Sequence, residues 1–548
     1  MSKEKEQNII FTIAAVVCII VFVFGIAPKT LQNDTYYTIA IGDYIYHNGV
    51  SNLTQDIFSW HDIPYTYPHW LYDLGIYVIF KNFGHSGIYA STIILASILG
   101  LIIYRMCSKT SKNKPVSAII TILALWTLKP YIAARAQLFT FILFALTVYF
   151  IEMYLENHKK IYLLGLLIIP LIIANVHCAV FPFYFVLYLP YVAEFLLEVL
   201  VDLDLDQRLY RRILMLALKF AKREKTKEKL QAKIDKVPER IEKLKATRER
   251  VRANPYKIKV TKNYFVIPII IVMLLAIFTG LINPAGDGAY TYLYKTMQGN
   301  TTDSINEHQP LVLISAHEFL GAVVIFLTIL IFTDTKIKLS DLFMLVGLTA
   351  LAFKTKRQIS MFAIFCAPIM AKLIAAMFEK YDKKAVEKMM SFGGSVLGAS
   401  AIILTVALIS IDSLKEIVKS DYVDPSSYPV AASDWMIENL DVKNMKLYNE
   451  YNYGSYLLFR GIPVFVDSRA DLYAPEFNGR KDIFSDALNI AGIALNYKTA
   501  FEDYGVTHVI TYANAKLAML LEDDSNYVKI YDDDSFKIFE KVVQEEGV

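Results

Sequence analysis

Residues 8–27 read NIIFTIAAVVCIIVFVFGIA, a run of twenty without one charged side chain. As a helix rising about 1.5 Å per residue, it matches the roughly 30 Å hydrocarbon core of a bilayer. The run is longer than the ~7–15 apolar residues of a cleaved signal peptide, and no small-x-small site precedes Pro28, so it reads as a first membrane span. Ten similar runs follow at approximately 87–105, 115–130, 138–154, 161–176, 180–199, 263–282, 315–333, 339–353, 358–378 and 392–411. The predicted fold is therefore an α-helical polytopic membrane protein with about eleven transmembrane helices, and the lipid bilayer is its first partner.

The composition of all 548 residues agrees, with 55% apolar and only 20% charged. A soluble globular chain stays nearer about 45–50% apolar. A net charge of +3 is too small to point to nucleic acid. The four cysteines, Cys18, Cys107, Cys178 and Cys366, lie in or beside apolar runs and outline no disulfide framework.

Loop charge sets the expected orientation, because Lys and Arg collect on the cytoplasmic side. Basic clusters at Lys3/Lys5, 105–114, 158–160, Lys336/Lys338 and 380–388 alternate correctly if the amino terminus is cytoplasmic. An odd number of crossings then puts the carboxyl terminus outside. The segment 203–262 is dense in Lys, Arg and Glu with apolar residues at helical spacing, and reads as a cytoplasmic helical hairpin near anionic lipid. Gly394 and Gly398 are spaced for close helix contact within the last span. The predicted division is a membrane domain over 1–411 and an extracytoplasmic α/β domain over 412–548. The second rests on strand-like runs at 446–451, 462–467, 508–512, 527–531 and 536–539, interleaved with helical stretches.

The first outer loop, 28–86, is long and rich in carboxylates and aromatics. It carries Asp34, Tyr37, Asp43, Asp56, His61, His69 and Asp73, and ends in an amphipathic stretch, WLYDLGIYVIFKNFG at 70–84, expected to lie on the membrane surface. Opposite charge stands at the outer ends of later spans: Lys129, Arg135 and Gln137, then Asn175 and His177, then Lys354, Lys356, Arg357 and Gln358. Basic residues on the side that the charge rule disfavours are costly enough to mark function. Arg offers a planar fork of donors matched to phosphate oxygens, and a nearby carboxylate can take a proton from a hydroxyl nucleophile. The pattern fits a pocket that holds a lipid-linked phosphate while a hydroxyl attacks the carbon attached to it. His61, His69 and His177 have no metal-ligand spacing; His61 and His69 either hydrogen-bond within the loop or position substrate. Asp467, Arg469 and Asp471 follow the run IPVFV and read as acceptor contacts or as docking contacts onto the membrane portion.

The stretches DTYYTIAIGDYIYHNGV (34–50), DIFSWH (56–61), YPHWLYDLGIYVIF (67–80), ARAQLFTFILFALTVYFIE (134–152), NVHCAVF (175–181), LINPAG (281–286), KRQISMFAIFCAP (356–368) and YNEYNYGSYLLFRGIPVFVDSRADLY (448–473) carry a resemblance. Together with the long first loop opening on an Asp, they resemble the GT-C superfamily of integral-membrane glycosyltransferases, in a bacterial branch. The resemblance implies a bacterial plasma-membrane enzyme. It would move a sugar from a polyprenyl-phosphate carrier, with inversion, to a hydroxyl of a glycan, lipid or protein acceptor on the outer face. It implies Asp34 as catalytic base, with Asp43 or Asp56 as alternative acids. Arg135, Arg357, Lys356 and Gln137 would hold the donor phosphate, and His61, His69, Tyr37, His177 and Asp56 would line the substrate. Thr35 stands where many members have a second acid. The oligosaccharyltransferase relatives use a divalent metal; no other cofactor is implied. The alternative is a subunit that binds, assembles or transports a lipid-linked glycan without chemistry.

Overall fold

The computed structural model describes residues 3–542 apart from 67, 300 and 313–315. Tyr67, and Ser315 at the start of one expected span, lie outside them. The remaining apolar runs are helical. Among the described residues six helices are long and apolar enough to cross a membrane: Lys3–Ile26, Trp70–Ser111, Ala136–Asn157, Cys178–Phe220, Lys356–Tyr381 and Val396–Lys419. Lys160–Val176, Val266–Leu281 and His317–Phe332 are shorter apolar helices. Lys114–Leu128 and Leu339–Lys354 have 15 and 16 residues, so each is only about 23 Å long. A short helix is tolerated where its ends are covered by protein instead of lipid.

Lipid tails are as apolar as Leu, so close packing replaces the hydrophobic effect as the force between spans. The first and last long helices show how. A Cβ on Gly25 would lie 2.7 Å from that of Ser410, so only glycine lets Lys3–Ile26 and Val396–Lys419 approach this closely. The Gly394/Gly398 pair does not form one helical face. Gly394 caps the helix Lys383–Gly393 and packs on Gln7, whereas Gly398 sits in the first turn of the next helix. The Ser395 side chain caps that helix by accepting from the Gly398 amide. The four cysteines are buried.

The expected surface helix and the following span form one element, Trp70–Ser111, broken at Gly84 with φ 60° and ψ −155°. That conformation is essentially restricted to glycine and redirects the chain between the two parts. The charged segment forms the helices Leu205–Phe220 and Glu224–Ala253, packed against each other. Arg252 and Lys262 both pair with Asp202, at 2.8 and 2.5 Å, and Arg248 bonds Asp204.

After Val396–Lys419 comes a small α/β region. Its sheet runs Leu447–Tyr448, His508–Tyr512, Phe536–Lys541, Tyr527–Asp532; the first pair is parallel and the others antiparallel. The run 462–467 was expected as a strand and is not in this sheet. Pro463 removes a donor, and Val464 pairs instead with the first loop, as an isolated parallel bridge to Ser59. This loop is structurally part of the α/β region: Tyr36, Ile39 and Ile76 share a core with Tyr456, Val464 and Ile538.

A buried ion network locks the two together. Arg469 pairs with Asp56 and with Asp467, both at 2.6 Å, and the Tyr473 hydroxyl donates to Asp467 at 2.5 Å. The Asp56 and Asp467 side chains are 0% exposed and that of Arg469 6%. Removing one partner of a buried pair leaves an uncompensated charge, at about 3–5 kcal/mol. Arg469→Met is expected to lower the melting temperature of the detergent-purified protein sharply, and adding Asp56→Asn to recover part of the loss.

Candidate functional site

The site is assembled at the end of the bundle where Ala136–Asn157 begins. Helix Asn33–Asn48 puts Asp34 in its first turn, where the helix dipole favours a carboxylate. Neighbours fix that turn: the Asn33 amide donates to the Tyr451 carbonyl at 2.9 Å, and the Thr35 hydroxyl to the Ala134 carbonyl at 3.2 Å. Thr35 thus ties the loop to the residue just before Arg135.

Arg135 is the hub. One guanidinium nitrogen lies 2.5 Å from Asp34 Oδ2 and the other 2.9 Å from Glu307 Oε1. It occupies the N-cap of Ala136–Asn157 in extended conformation, where the dipole opposes a cation. Two carboxylates compensate. Burial would raise the pKa of Glu307, but Arg135 and Arg357 beside it hold it below the usual carboxylate range.

Arg357 lies in the short turn Lys356–Gln358 ahead of the helix Ile359–Tyr381. It donates to Gln137 Oε1 at 3.4 Å, and among the described residues no carboxylate lies within ion-pair distance of it. Arg135, Glu307, Asp34 and Asp471 all act on its charge. Lys356 is turned aside, its ammonium 2.7 Å from Asn306 Oδ1.

A second buried set stands next to this one. His69 is held between Asp73 (Nδ1 to Oδ1, 2.7 Å) and the Tyr37 hydroxyl (Nε2 to Oη, 2.9 Å). Burial alone would lower the pKa of His69; the Asp73 carboxylate outweighs it and raises it. His177 lies with its ring centroid 6.3 Å from that of His69, and Nδ1 2.9 Å from the Thr140 hydroxyl. Burial and the neighbouring cations keep His177 neutral.

Of the expected site residues, Asp34, Arg135, Gln137, Arg357, Tyr37, His69 and His177 are brought together, with Lys356 at the edge. Asp56 is not; it is closed in the Arg469 network. His61 is not either: its Nε2 lies 2.7 Å from the Phe465 carbonyl, with its ring among Trp60, Tyr473 and Tyr504. Asp467 and Arg469 are internal. Only Asp471 of that trio comes near the cluster, close enough to act on the charge of Arg357, and it is held at 3.0 and 3.2 Å by Thr301 and Thr296. Sequence reasoning missed Glu307 and the pairing role of Asp73. The available signal for Glu307 was an acid beside His308 in an outer loop that also ends at a span.

Among the described residues no group of three His, Cys, Asp or Glu side chains is placed to hold a metal ion. Arg135 fills the space between Asp34 and Glu307 that a divalent cation would need, so this donor set does not fit one.

No family model matches the chain, and no curated protein matches it. Solved structures do. The oligosaccharyltransferase of Archaeoglobus fulgidus in the apo form aligns with a TM-score of 0.51 at 13% identity, over 92% of this chain and 69% of that one. The same enzyme, AglB, in complex with an inhibitory peptide and a dolichol-phosphate aligns over 99% and 74%, again at 0.51 and 13%. ArnT from Cupriavidus metallidurans in the apo state aligns over 97% of both chains, at 0.51 and 9%. The chain shares its fold with these oligosaccharyltransferase and ArnT structures.

Burial pushes the His61 pKa from its ordinary 6.5 down to about 4. The folded state therefore favours the neutral ring; its stabilising contribution is complete above pH 6.5 and is lost as pH falls from 6.5 towards 4. His61→Gln keeps a donor for Phe465 without the titration. Its melting temperature is expected to fall less than that of the parent between pH 7 and pH 4, in parallel thermal scans.

Proposed function

We propose that this chain is a membrane glycosyltransferase that takes a sugar from a polyprenyl-phosphate donor and transfers it to a hydroxyl acceptor. The observation that carries the reading is the unpaired guanidinium of Arg357 beside the Asp34–Arg135–Glu307 cluster. A half-buried cation without a carboxylate, near two helix N-termini, is suited to an anion. A donor phosphate entering there also competes for Arg135, which releases Asp34 from its ion pair.

The freed Asp34 carboxylate accepts the proton of the acceptor hydroxyl as its oxygen bonds to the anomeric carbon. The bond from that carbon to the phosphate oxygen breaks, and the polyprenyl phosphate leaves with the electron pair, its charge met by Arg135 and Arg357. One in-line displacement inverts the sugar carbon. Asp471 and His177 are the side chains placed to meet the acceptor. The site faces the outside of a bacterial plasma membrane, with the amino terminus cytoplasmic; residues 1–411 form the membrane domain and 412–548 the outer domain. A glycan, a lipid or a protein supplies the hydroxyl.

Asp34→Asn is expected to abolish sugar transfer in membranes supplied with a radiolabelled polyprenyl-phosphate sugar, without changing expression. Parental turnover in that variant would overturn the assignment. Arg357→Ala should cut turnover by about 100-fold or more, the usual cost of losing one preorganised donor. A subunit that only binds the lipid-linked glycan would lose affinity in Arg357→Ala and show no turnover in any form.

Orientation has its own test. The native cysteines are buried, and Glu416 is exposed. Glu416→Cys is expected to react with a membrane-impermeant thiol reagent in whole cells; protection until lysis would reverse the topology.

A further inference from the structure

A separate cavity of about 280 Å³ opens at the opposite end of the bundle from Arg135. Glu152 in its wall lies sixteen residues into Ala136–Asn157, roughly 24 Å along the helix axis. Three ammonium groups and three carboxylates line it: Lys109, Lys338, Lys372, Glu152, Glu156 and Asp341. Two pairs are closed, Lys109 with Glu156 at 3.0 Å and Lys372 with Asp341 at 2.6 Å. Lys338 and Glu152 are left with no ion-pair partner within 4 Å among the described residues.

Lys338 stands out. It follows Ile337 in a two-residue strand paired to Ile258–Lys259, and its ammonium lies over the Tyr191 ring, 5.5 Å from the centroid. Burial would lower its pKa, yet the carboxylates of Glu152, Glu194 and Asp341 around it raise it, so it stays charged. Much of the remaining wall is apolar, with Met344 and Phe365 among its residues.

The charge balance selects the ligand class. A phosphate monoester would bring two negative charges into a neutral site and confront Glu152, Glu156 and Asp341. A metal cation or a simple amine would confront the lysines. Glu152 accepts a hydrogen bond from the Tyr191 hydroxyl but, among the described residues, has no paired cation. A zwitterion with one phosphate and one primary amine supplies the missing charge partner to both Lys338 and Glu152 and leaves the site neutral, and apolar walls at a helix-end level suit a ligand that continues into lipid. We propose that this cavity binds the phosphoethanolamine headgroup, its phosphate on Lys338 and its amine on Glu152. The site is independent of the chemistry at Arg135.

The test uses the full-length protein, purified in detergent, delipidated, and reloaded with equal concentrations of phosphatidylethanolamine, phosphatidylcholine or phosphatidylglycerol, with bound lipid counted by native mass spectrometry. The expected result is one retained phosphatidylethanolamine, at least tenfold above the other two lipids, and at least a tenfold drop in Lys338→Gln and in Glu152→Gln. Free phosphoethanolamine at the same concentration distinguishes the source: failure to bind assigns the intact lipid, and binding assigns the soluble headgroup. Equal retention of the three lipids, or retention unchanged in both variants, would overturn the proposal. Should either single variant fail to fold, the exchanged pair Lys338→Glu with Glu152→Lys keeps the charge balance and is expected to restore retention; no retention in a folded exchanged protein counts against the site.

Discussion

The arrangement depends on a cation held where its helix repels it. Arg135 caps the start of Ala136–Asn157 and is stable there because Asp34 and Glu307 reach it from two other segments. Neither carboxylate is a neighbour in sequence, so the ion cluster forms only when the first loop, the loop carrying Glu307 and the bundle are all in place. The cluster is therefore a structural clasp between these segments. Arg357, close by, has no such clasp among the described residues.

The first loop reaches that position because it is not a loose connection. Its apolar side chains are packed into the core of the α/β region, and Arg469 binds its Asp56 in a closed network. This docking carries helix Asn33–Asn48 over the bundle end and sets Asp34 against Arg135. Asp471 is held near the same cluster by Thr296 and Thr301. The buried Asp73–His69–Tyr37 chain stiffens the floor between loop and bundle.

Part of this site is legible from the residues alone. Arg135, Gln137, His177 and Arg357 are visible because each polar group opens or closes an apolar run, a placement with a solvation cost. Asp34 is visible as the acid that opens a long loop. The same reasoning misplaces Asp56 and His61, since a polar residue in an aromatic-rich loop reads alike whether it faces a substrate or a partner domain. Val464 shows the limit in the backbone: IPVFVD has the composition of a strand, but its partner is Ser59 of the first loop and not the sheet. Glu307 is harder to read, because an acid beside a histidine in a polar loop carries only a weak local signal.

Local energetics settle which stretches of this chain are helical and apolar, because span length, loop charge and the glycine at position 84 act over a few residues and are written in order. Which carboxylate meets which guanidinium is a different matter. Asp34, Arg135, Glu307 and Arg357 are separated by some 50 to 170 residues from one to the next, and opposite charges attract without regard to register, so composition permits many pairings. Only the packed core shared by the first loop and the α/β region, with its cost for any unpaired buried charge, selects the one observed.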